Sequence, residues 1–363
     1  MSKEKQNSTE GNYLIAGADV GTGTLLFAKL NSEGKVEVNQ IRDMFIYVQP
    51  DQISASEMAN SKLDYITQLD GDGDVEFHAV VGEDALRLSN VFNSKINRPM
   101  SQGMLSPDEI HAAPIITAMF KNIINEPVNG GHLIFSVPSQ PIDADDTTPV
   151  HFHQEMFKNI FKEIGFTTAI PLNEAHAIIF SQCANENFTG IGISFGAGQV
   201  NVCLSWKGTL LFAFSTGRSG DWIDSYAAKS SGTIPNRITT IKEKSDFSVI
   251  KPFVATIKNK KESNARQALK FSYELLIDYT LDIIRDQFID RASSLELDDV
   301  TLPIVIGGGT SLPHGFIDLF KSKFAEIKDF PLEISEIRHA TNPLEAVAIG
   351  CLTYSQWSKN KNG

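Results

Sequence analysis

Cysteine is scarce in this chain, whose 363 residues include only Cys183, Cys203 and Cys351. Their spacing fits neither a zinc motif nor a redox motif, and their apolar neighbours predict reduced, buried thiols of a cytosolic protein. Long hydrophobic runs are lacking too, so we expect no membrane-spanning helix. The polar N-terminus contains no apolar segment, and we therefore expect no signal peptide and no membrane insertion.

Positive charge is in deficit, because 32 Lys and Arg face 44 Asp and Glu, which gives a formal net charge of −12. Nucleic acid and anionic membranes demand basic patches, so neither is an expected partner. Hydrophobic residues make up 42% and charged residues 21%, as is typical of globular proteins. A length of 363 residues favours two domains.

Strand-like and helix-like segments alternate along the chain, which predicts the α/β class. The predicted strands cover residues 13–19, 24–30, 36–41, 133–137, 190–195, 200–206, 209–215 and 302–306. The predicted helices cover residues 108–124, 153–164 and 263–291, and the last of these has one apolar stripe, as expected of a core-packing helix. His151 and His153 are expected as an exposed pair where a helix begins.

An internal repeat relates the two halves of the chain. A shift of 175 residues brings Gly17 onto Gly192, and it also brings Gly21 onto Gly196 and Gly23 onto Gly198. Three strands surround each set, and each set opens a β-turn. We interpret this match as a duplication.

The first glycine-rich segment, GADVGTGT, ends at Thr24. Gly21 and Gly23 allow a tight turn whose N–H groups face phosphate oxygens, and the hydroxyls of Thr22 and Thr24 are further donors. Asp19 at the strand end would repel a phosphate unless a cation lies between them. Magnesium is the cation that carboxylates and phosphates commonly share.

Two further glycine-rich segments have the same chemistry. The segment GISFGAGQVNV contains a turn at Gly196 and Gly198, and neither it nor the first segment has the Walker or the Rossmann pattern. This argues against a P-loop ATPase and against a Rossmann dehydrogenase. In LPIVIGGGTSLP a buried strand runs into Gly307, Gly308 and Gly309, where a flat group can approach the backbone and a helix start favours an anion.

Five motifs occur in an order that resembles the actin, sugar kinase and heat-shock chaperone superfamily. They are the first turn, PLNEAHA, the second turn, IGGGTSLP and PLEAVAIG. Within the superfamily the chain is similar to prokaryotic actins of the MreB and MamK type. The features that carry this resemblance are the sequence Arg98-Pro99-Met100, Gly103 and the string SGDWID from Ser219 to Asp224.

The resemblance implies an actin fold, with two duplicated ribonuclease H-like lobes, each a mixed sheet flanked by helices. Lobe I would cover residues 12–168 and 338–363, with an inserted subdomain at about 46–75. Lobe II would cover residues 169–337, with an insertion at about 228–264. Residues 1–11 would form a flexible polar tail.

The resemblance also implies a site for ATP or ADP with Mg²⁺. Asp19 would anchor the metal, and Glu174 of PLNEAHA would orient the attacking water, so that both are candidate catalytic residues. The implied nucleotide contacts are Gly21, Thr22, Gly23, Thr24, Gly196, Ala197, Gly198, Gly220 and Asp221 around the phosphates and ribose, and Lys242, Glu243, Gly307, Gly308 and Gly309 around the adenosine.

Two positions depart from the family pattern. Ser194 stands where the second turn of the family begins with aspartate, and Asn201 stands at a later acidic or threonine position. A hydroxyl cannot supply negative charge to magnesium or polarise a water as a carboxylate does. We therefore expect nucleotide binding with slow hydrolysis that relies on Asp19 and Glu174.

The function that these expectations favour is a cytoplasmic, prokaryotic cytoskeletal ATPase whose partner is a further copy of itself, with adaptor proteins unspecified. A monomeric chaperone-like ATPase switch or regulatory nucleotide-binding protein is the alternative. It is less favoured because no substrate-binding domain is expected after Gly350. A sugar or acetate kinase is a third possibility, although the sequence has no distinct acceptor motif.

Overall fold

A computed structural model describes residues 13–48, 55–69, 71–92, 95–144, 150–251, 259–292 and 300–362. The strands are β1 (Leu14–Val20), β2 (Thr24–Leu30), β3 (Val36–Arg42), β4 (Phe45–Val48), β5 (Tyr65–Leu69), β6 (Val75–Val81), β7 (Met100–Ser101), β8 (Met104–Leu105), β9 (Gly131–Val137), β10 (Thr168–Asn173), β11 (Gly190–Phe195), β12 (Val200–Trp206), β13 (Thr209–Thr216), β14 (Thr301–Gly307) and β15 (Glu333–His339). The helices are α1 (Ala55–Asn60), α2 (Gly82–Phe92), α3 (Ala112–Ile124), α4 (Val150–Ile164), α5 (Glu174–Gln182), α6 (Gly220–Ser231), α7 (Pro235–Lys242), α8 (Lys260–Ala292), α9 (Phe316–Phe324) and α10 (Ala346–Asn362).

Two five-stranded sheets share one topology. The first has the order β10-β9-β1-β2-β3, and the second, read in the same direction, has the order β15-β14-β11-β12-β13. In each sheet three consecutive strands are antiparallel. A later strand pairs in parallel with the first of them, and a second later strand pairs in parallel with that one. The predicted α/β class with two repeated mixed sheets is confirmed.

The division into two lobes stays a prediction. The extents of the two sheets nevertheless indicate where such a division would lie. Strand β10 pairs with β9, which extends the first sheet to Asn173. Strand β15 pairs with β14, which extends the second sheet to His339. A division that follows the sheets therefore lies a few residues beyond 168 and 337.

Helices α5 and α10 pack closely against each other and against the first strand of each sheet. A Cβ atom at Gly350 of α10 would lie 1.8 Å from the carbonyl oxygen of Ala177 in α5. A Cβ at Gly17 of β1 would lie 2.2 Å from the backbone nitrogen of Leu352 in α10, and one at Gly192 of β11 would lie 2.2 Å from the oxygen of Ala175. Gly17 and Gly192 therefore serve the same packing in the two halves.

The buried cores follow from the apolar patterns. Aromatic rings of α3, α4 and β9 pack together around Phe120, Phe135 and Phe161 in the first half. Helix α8 buries Leu269, Tyr273 and other residues of its apolar stripe against the second sheet, as predicted for a core-packing helix. Among the described residues, no helix is both long and apolar enough to cross a bilayer.

Helix α3 starts later than predicted, since it begins at Ala112 while Glu109 and His111 form a turn before it. The expectation that His153 is exposed was wrong. Its side chain is 1% exposed and packs against Phe157, and its Nδ1 accepts a hydrogen bond from the Leu105 N–H at 3.1 Å. Strand β8 thus covers this face of α4.

Three smaller strands and a short hairpin complete the first half. Strands β4, β6 and β5 form a sheet beside α2, and β7 pairs with β8. Gln102 (φ 51°) and Gly103 (φ 81°) form the turn of that hairpin with left-handed backbone conformations. This turn reaches the edge of the cavity described next.

Candidate functional site

A cavity of about 790 Å³ opens between the two halves of the molecule. Most of the predicted site residues line it, and they come from both sheets. Those that do are Asp19, Gly21, Thr22, Gly23, Thr24, Glu174, Gly196, Ala197, Gly198, Asp221, Lys242, Glu243, Gly308 and Gly309. Gly220 and Gly307 are not part of this lining.

The two glycine turns face each other across the cavity. A Cβ atom at Gly198 would lie 2.3 Å from the Gly103 nitrogen and 2.4 Å from the Thr22 hydroxyl oxygen. The Gly103 N–H also donates to that hydroxyl at 3.0 Å. A Cβ at Gly23 would lie 3.1 Å from the Cβ of Ala197. Gly23 and Gly198 therefore allow the two turns to come this close, because a side chain at either position would crowd the neighbouring residues.

The second turn is anchored through its carbonyl groups. The oxygen of Gly196 accepts from Thr310 Oγ1 at 2.8 Å and from the Gly220 N–H at 3.1 Å. The oxygen of Ala197 accepts from the Asp221 N–H at 2.8 Å. Both carbonyls therefore bond to the start of α6, and the carbonyl of Gly196 also bonds to the segment after β14. Gly220 thus supports the turn from behind.

Asp19, near the end of β1, is a partly buried carboxylate at the cavity. Its Oδ1 accepts a hydrogen bond from the Ser136 hydroxyl at 2.7 Å, and that hydroxyl accepts one from the Val20 N–H at 2.8 Å. Burial raises the pKa of Asp19, and the hydrogen bond from Ser136 offsets part of this rise.

Glu174, the first residue of α5, is a second carboxylate at the cavity, and its side chain is buried. Its Oε2 accepts a hydrogen bond from Asn201 Nδ2 at 3.0 Å, and the Ser194 side chain is a further hydrogen-bond partner. Burial and then the charge of Asp19 raise the pKa of Glu174, while the two hydrogen bonds lower it. Ser194 and Asn201 are paired across β11 and β12, so both departures from the family pattern meet at this carboxylate.

The two carboxylates fit a magnesium ion. Their mutual repulsion, expressed in the raised pKa of Glu174, is the kind of charge that a divalent cation relieves. No group of three or more His, Cys, Asp or Glu side chains forms a metal site in the described part of the chain. Magnesium is commonly held by one or two carboxylates together with waters and phosphates, so Asp19 can serve as its protein donor while Glu174 stays free to contact the attacking water.

Lys242 and Glu243, which were predicted to flank an adenosine, line the cavity while bonded to other side chains. Lys242 Nζ lies 2.7 Å from Asp224 Oδ1, and Asp224 Oδ2 also accepts from Thr239 Oγ1 at 2.7 Å. Burial raises the pKa of Asp224, and the Lys242 charge opposes this. Glu243 accepts two hydrogen bonds from Arg42 at 3.0 and 2.7 Å. No sequence motif indicated Arg42 or Thr239.

The three glycines at the end of β14, Gly307 to Gly309, have different roles. Gly308 has a φ of 90°, and a Cβ there would lie 2.3 Å from the Phe195 oxygen, so this position requires glycine. A Cβ at Gly307 would lie 2.9 Å from the Ile178 side chain, which makes Gly307 a packing position against α5. Gly309 lines the cavity.

Several solved structures have this fold at low sequence identity. A structure described as the MamK double helical filament matches with a TM-score of 0.66 and 18% identity, covering 95% of this chain and 99% of that one. MreB5 of Spiroplasma citri bound to AMPPNP matches with a TM-score of 0.66 and 13% identity, covering 97% and 98%. EutJ, an ethanolamine utilization protein from Carboxydothermus hydrogenoformans, matches with a TM-score of 0.54 and 14% identity, covering 94% and 90%.

These similarities establish the fold of the prokaryotic actin-like proteins, as the sequence motifs predicted. No curated protein sequence matches this chain. The sequence profile of one family, Volactin, matches residues 14–354, which is most of the chain. The chain therefore belongs to the Volactin family.

Proposed function

We propose that this protein binds ATP or ADP with Mg²⁺ in the cavity and assembles with copies of itself into cytoplasmic filaments whose stability depends on the nucleotide. The observation that carries the proposal is the pair of opposed turns at Gly21–Gly23 and Gly196–Gly198, which share one cavity with Asp19 and Glu174. Two copies of one turn can hold a polyphosphate from both sides.

The chemistry of the cavity suits a nucleotide. Its volume of about 790 Å³ lies within the usual range for small-molecule sites, about 300 to 1,000 Å³. The hydroxyls of Thr22 and Thr24 and the N–H groups of the turns supply donors for phosphate oxygens. Asp19 would hold the metal, which supplies charge neutralisation at the phosphates when bound. Gly308 and Gly309 leave room for the adenosine.

Glu174 is the group that we propose accepts a proton from the attacking water. The Asn201 amide holds one of its oxygens, and Asp19 raises its pKa, which makes the ionised form a stronger base. Ser194 adds a hydroxyl where a carboxylate would add charge. Hydrolysis is therefore expected to be slow, with binding retained.

Self-assembly is supported by the similar structures. MamK is described as a double helical filament, and MreB5 is described as bound to AMPPNP and to ADP. A nucleotide that holds the two halves together can alter the surfaces that neighbouring copies contact, which couples assembly to nucleotide state.

Sedimentation with ATP, with ADP and without nucleotide tests assembly, while titration of a fluorescent ATP analogue tests binding separately. Pelleting that requires nucleotide is the expected result. Binding without pelleting at any protein concentration would contradict the filament and favour the monomeric switch. Absence of binding would contradict the proposal as a whole.

A further inference from the structure

Arg42 connects the two halves of the molecule at the cavity. It is the last residue of β3, and its Nη1 and Nη2 donate to Oε1 and Oε2 of Glu243 at 3.0 and 2.7 Å. Its Nε donates to Glu83 of α2. Glu243 is the cap residue that follows α7. One guanidinium therefore joins the first sheet, the helix beside the small sheet and a helix of the second half.

The arrangement has the geometry of a strong ion pair. Both oxygens of Glu243 accept parallel hydrogen bonds from the planar fork of Arg42, and this bidentate pairing is more directional than a lysine pair. The two carboxylates raise the pKa of Arg42, so the charge persists at any working pH. The Arg42 side chain is 26% exposed and that of Glu243 is 44% exposed, which leaves the pair open to dissolved salt.

The pair of Arg42 and Glu243 lies where it can affect how a ligand enters and leaves the cavity. Arg42, Glu83 and Glu243 all line the cavity between the turns and the start of α9. A molecule bound against the glycine turns lies between β3 and α7, which the pair holds together. Separating these elements breaks both hydrogen bonds between Arg42 and Glu243.

We propose that Arg42 and Glu243 form a latch that sets how fast nucleotide enters and leaves the cavity; this rests on the proposed nucleotide binding. Glu83 positions the Arg42 guanidinium for Glu243. In this assignment Glu243 acts through Arg42 and does not contact the adenosine. The latch weakens as salt concentration rises, because its partners are partly exposed.

The expected effect of the latch on nucleotide exchange follows from the small stabilisation that partly exposed ion pairs provide. Removing one partner of the pair is therefore expected to raise the rate at which the cavity opens about two- to fivefold. A latch acts on opening alone, so the association and dissociation rates rise together and the dissociation constant changes little. Loss of a direct contact with nucleotide would raise the dissociation rate and leave the association rate unchanged.

Stopped-flow measurement of a fluorescent ATP analogue tests this in the full chain, with Arg42→Ala, Glu243→Gln and the double variant. The double variant is expected to match the single ones, because both remove the same pair. Arg285→Ala is the matched control, since Arg285 pairs with Asp286 on the surface of α8. Added NaCl should speed exchange in the unaltered protein and leave Arg42→Ala nearly unaffected.

The possible outcomes distinguish failure of the latch from failure of nucleotide binding. Rates in Glu243→Gln equal to those of the unaltered protein would overturn the latch while nucleotide binding stands, and so would a rise confined to dissociation. Failure of the unaltered protein to bind the analogue would instead overturn the proposed function and the latch with it. Glu243→Gln keeps the shape of the side chain, so it remains informative if Arg42→Ala folds poorly.

Discussion

The side-chain amide of Asn201 points at the carboxylate of Glu174, with 3.0 Å between Nδ2 and Oε2. Its orientation is fixed from the other side, because its Oδ1 accepts the Ser139 N–H at 2.7 Å. Ser139 follows β9 of the first sheet, whereas Asn201 belongs to β12 of the second. The donor offered to Glu174 therefore depends on both halves being in place.

Glu174→Gln should abolish most hydrolysis and leave binding in place. Glutamine keeps the hydrogen-bonding shape but cannot accept the proton of water, and loss of a general base costs roughly 10²- to 10⁴-fold. Single-turnover phosphate release measures the rate, and titration of a fluorescent analogue measures binding. Glu155→Gln, which alters only a surface pair with Lys158, is the control. Hydrolysis at the unaltered rate would remove Glu174 from its proposed role.

Asn201→Ala should lower the free energy of unfolding by about 1–3 kcal/mol, because it leaves the buried Ser139 N–H and an oxygen of Glu174 without their partner. Urea denaturation measures the change. Asn122→Ala removes an exposed amide that contacts Asp64 at 3.4 Å, and it should cost much less. Equal losses in the two variants would mean that the buried network adds no stability of its own.

The stability of the metal-free and nucleotide-free protein should fall as pH rises above about 4, the ordinary carboxyl value. Burial raises the pKa values of Asp19 and Glu174 in the folded state. The unfolded chain then binds fewer protons than the folded one over this window, so the free energy of unfolding decreases with pH. Melting temperatures in EDTA between pH 5 and pH 8 test this, and Glu174→Gln should flatten the slope. An unchanged slope in that variant would contradict the assignment.

Ser194→Asp should restore charge at the position where the family has aspartate. Without metal, a third carboxylate beside Asp19 and Glu174 should lower the melting temperature, and Mg²⁺ with ATP should recover it. Phosphate release should become faster than in the unaltered protein. Ser194→Asn, which adds similar bulk without charge, should not gain rate. Loss of all activity in Ser194→Asp would count against the idea that the missing carboxylate limits hydrolysis.

Local patterns predicted much of this fold. Strands β11 and β12 fall at the predicted residues because apolar runs end at glycine-rich turns, and α8 follows from its apolar stripe. The glycines that indicate the repeat have different structural roles. Gly17 and Gly192 admit helices α10 and α5, while Gly23 and Gly198 admit the opposite turn.

Local patterns could not predict contacts between residues that are far apart in the sequence. Arg42 and Glu243 are 201 positions apart, and neither belongs to a motif that implies the other. His153 was misjudged for a similar reason, since the strand that covers it, β8, has only two residues and no detectable period. Asn201 is a departure from the family pattern, but its bond to Glu174 depends on how α5 packs against β11 and β12.

Gly198→Ala should separate the two glycine turns and weaken nucleotide binding by about five- to a hundredfold. The added methyl group would lie 2.3 Å from the Gly103 nitrogen and 2.4 Å from the Thr22 hydroxyl, so the β7–β8 turn or the first glycine turn must shift. Overpacking of this kind typically costs about 1–3 kcal/mol. Gly217→Ala is the control, because its nearest neighbour would be an Asp143 oxygen at 3.6 Å. Analogue titration and thermal melting should be run on both variants. Unaltered affinity in a folded Gly198→Ala protein would mean that the opposed turns do not hold the phosphates.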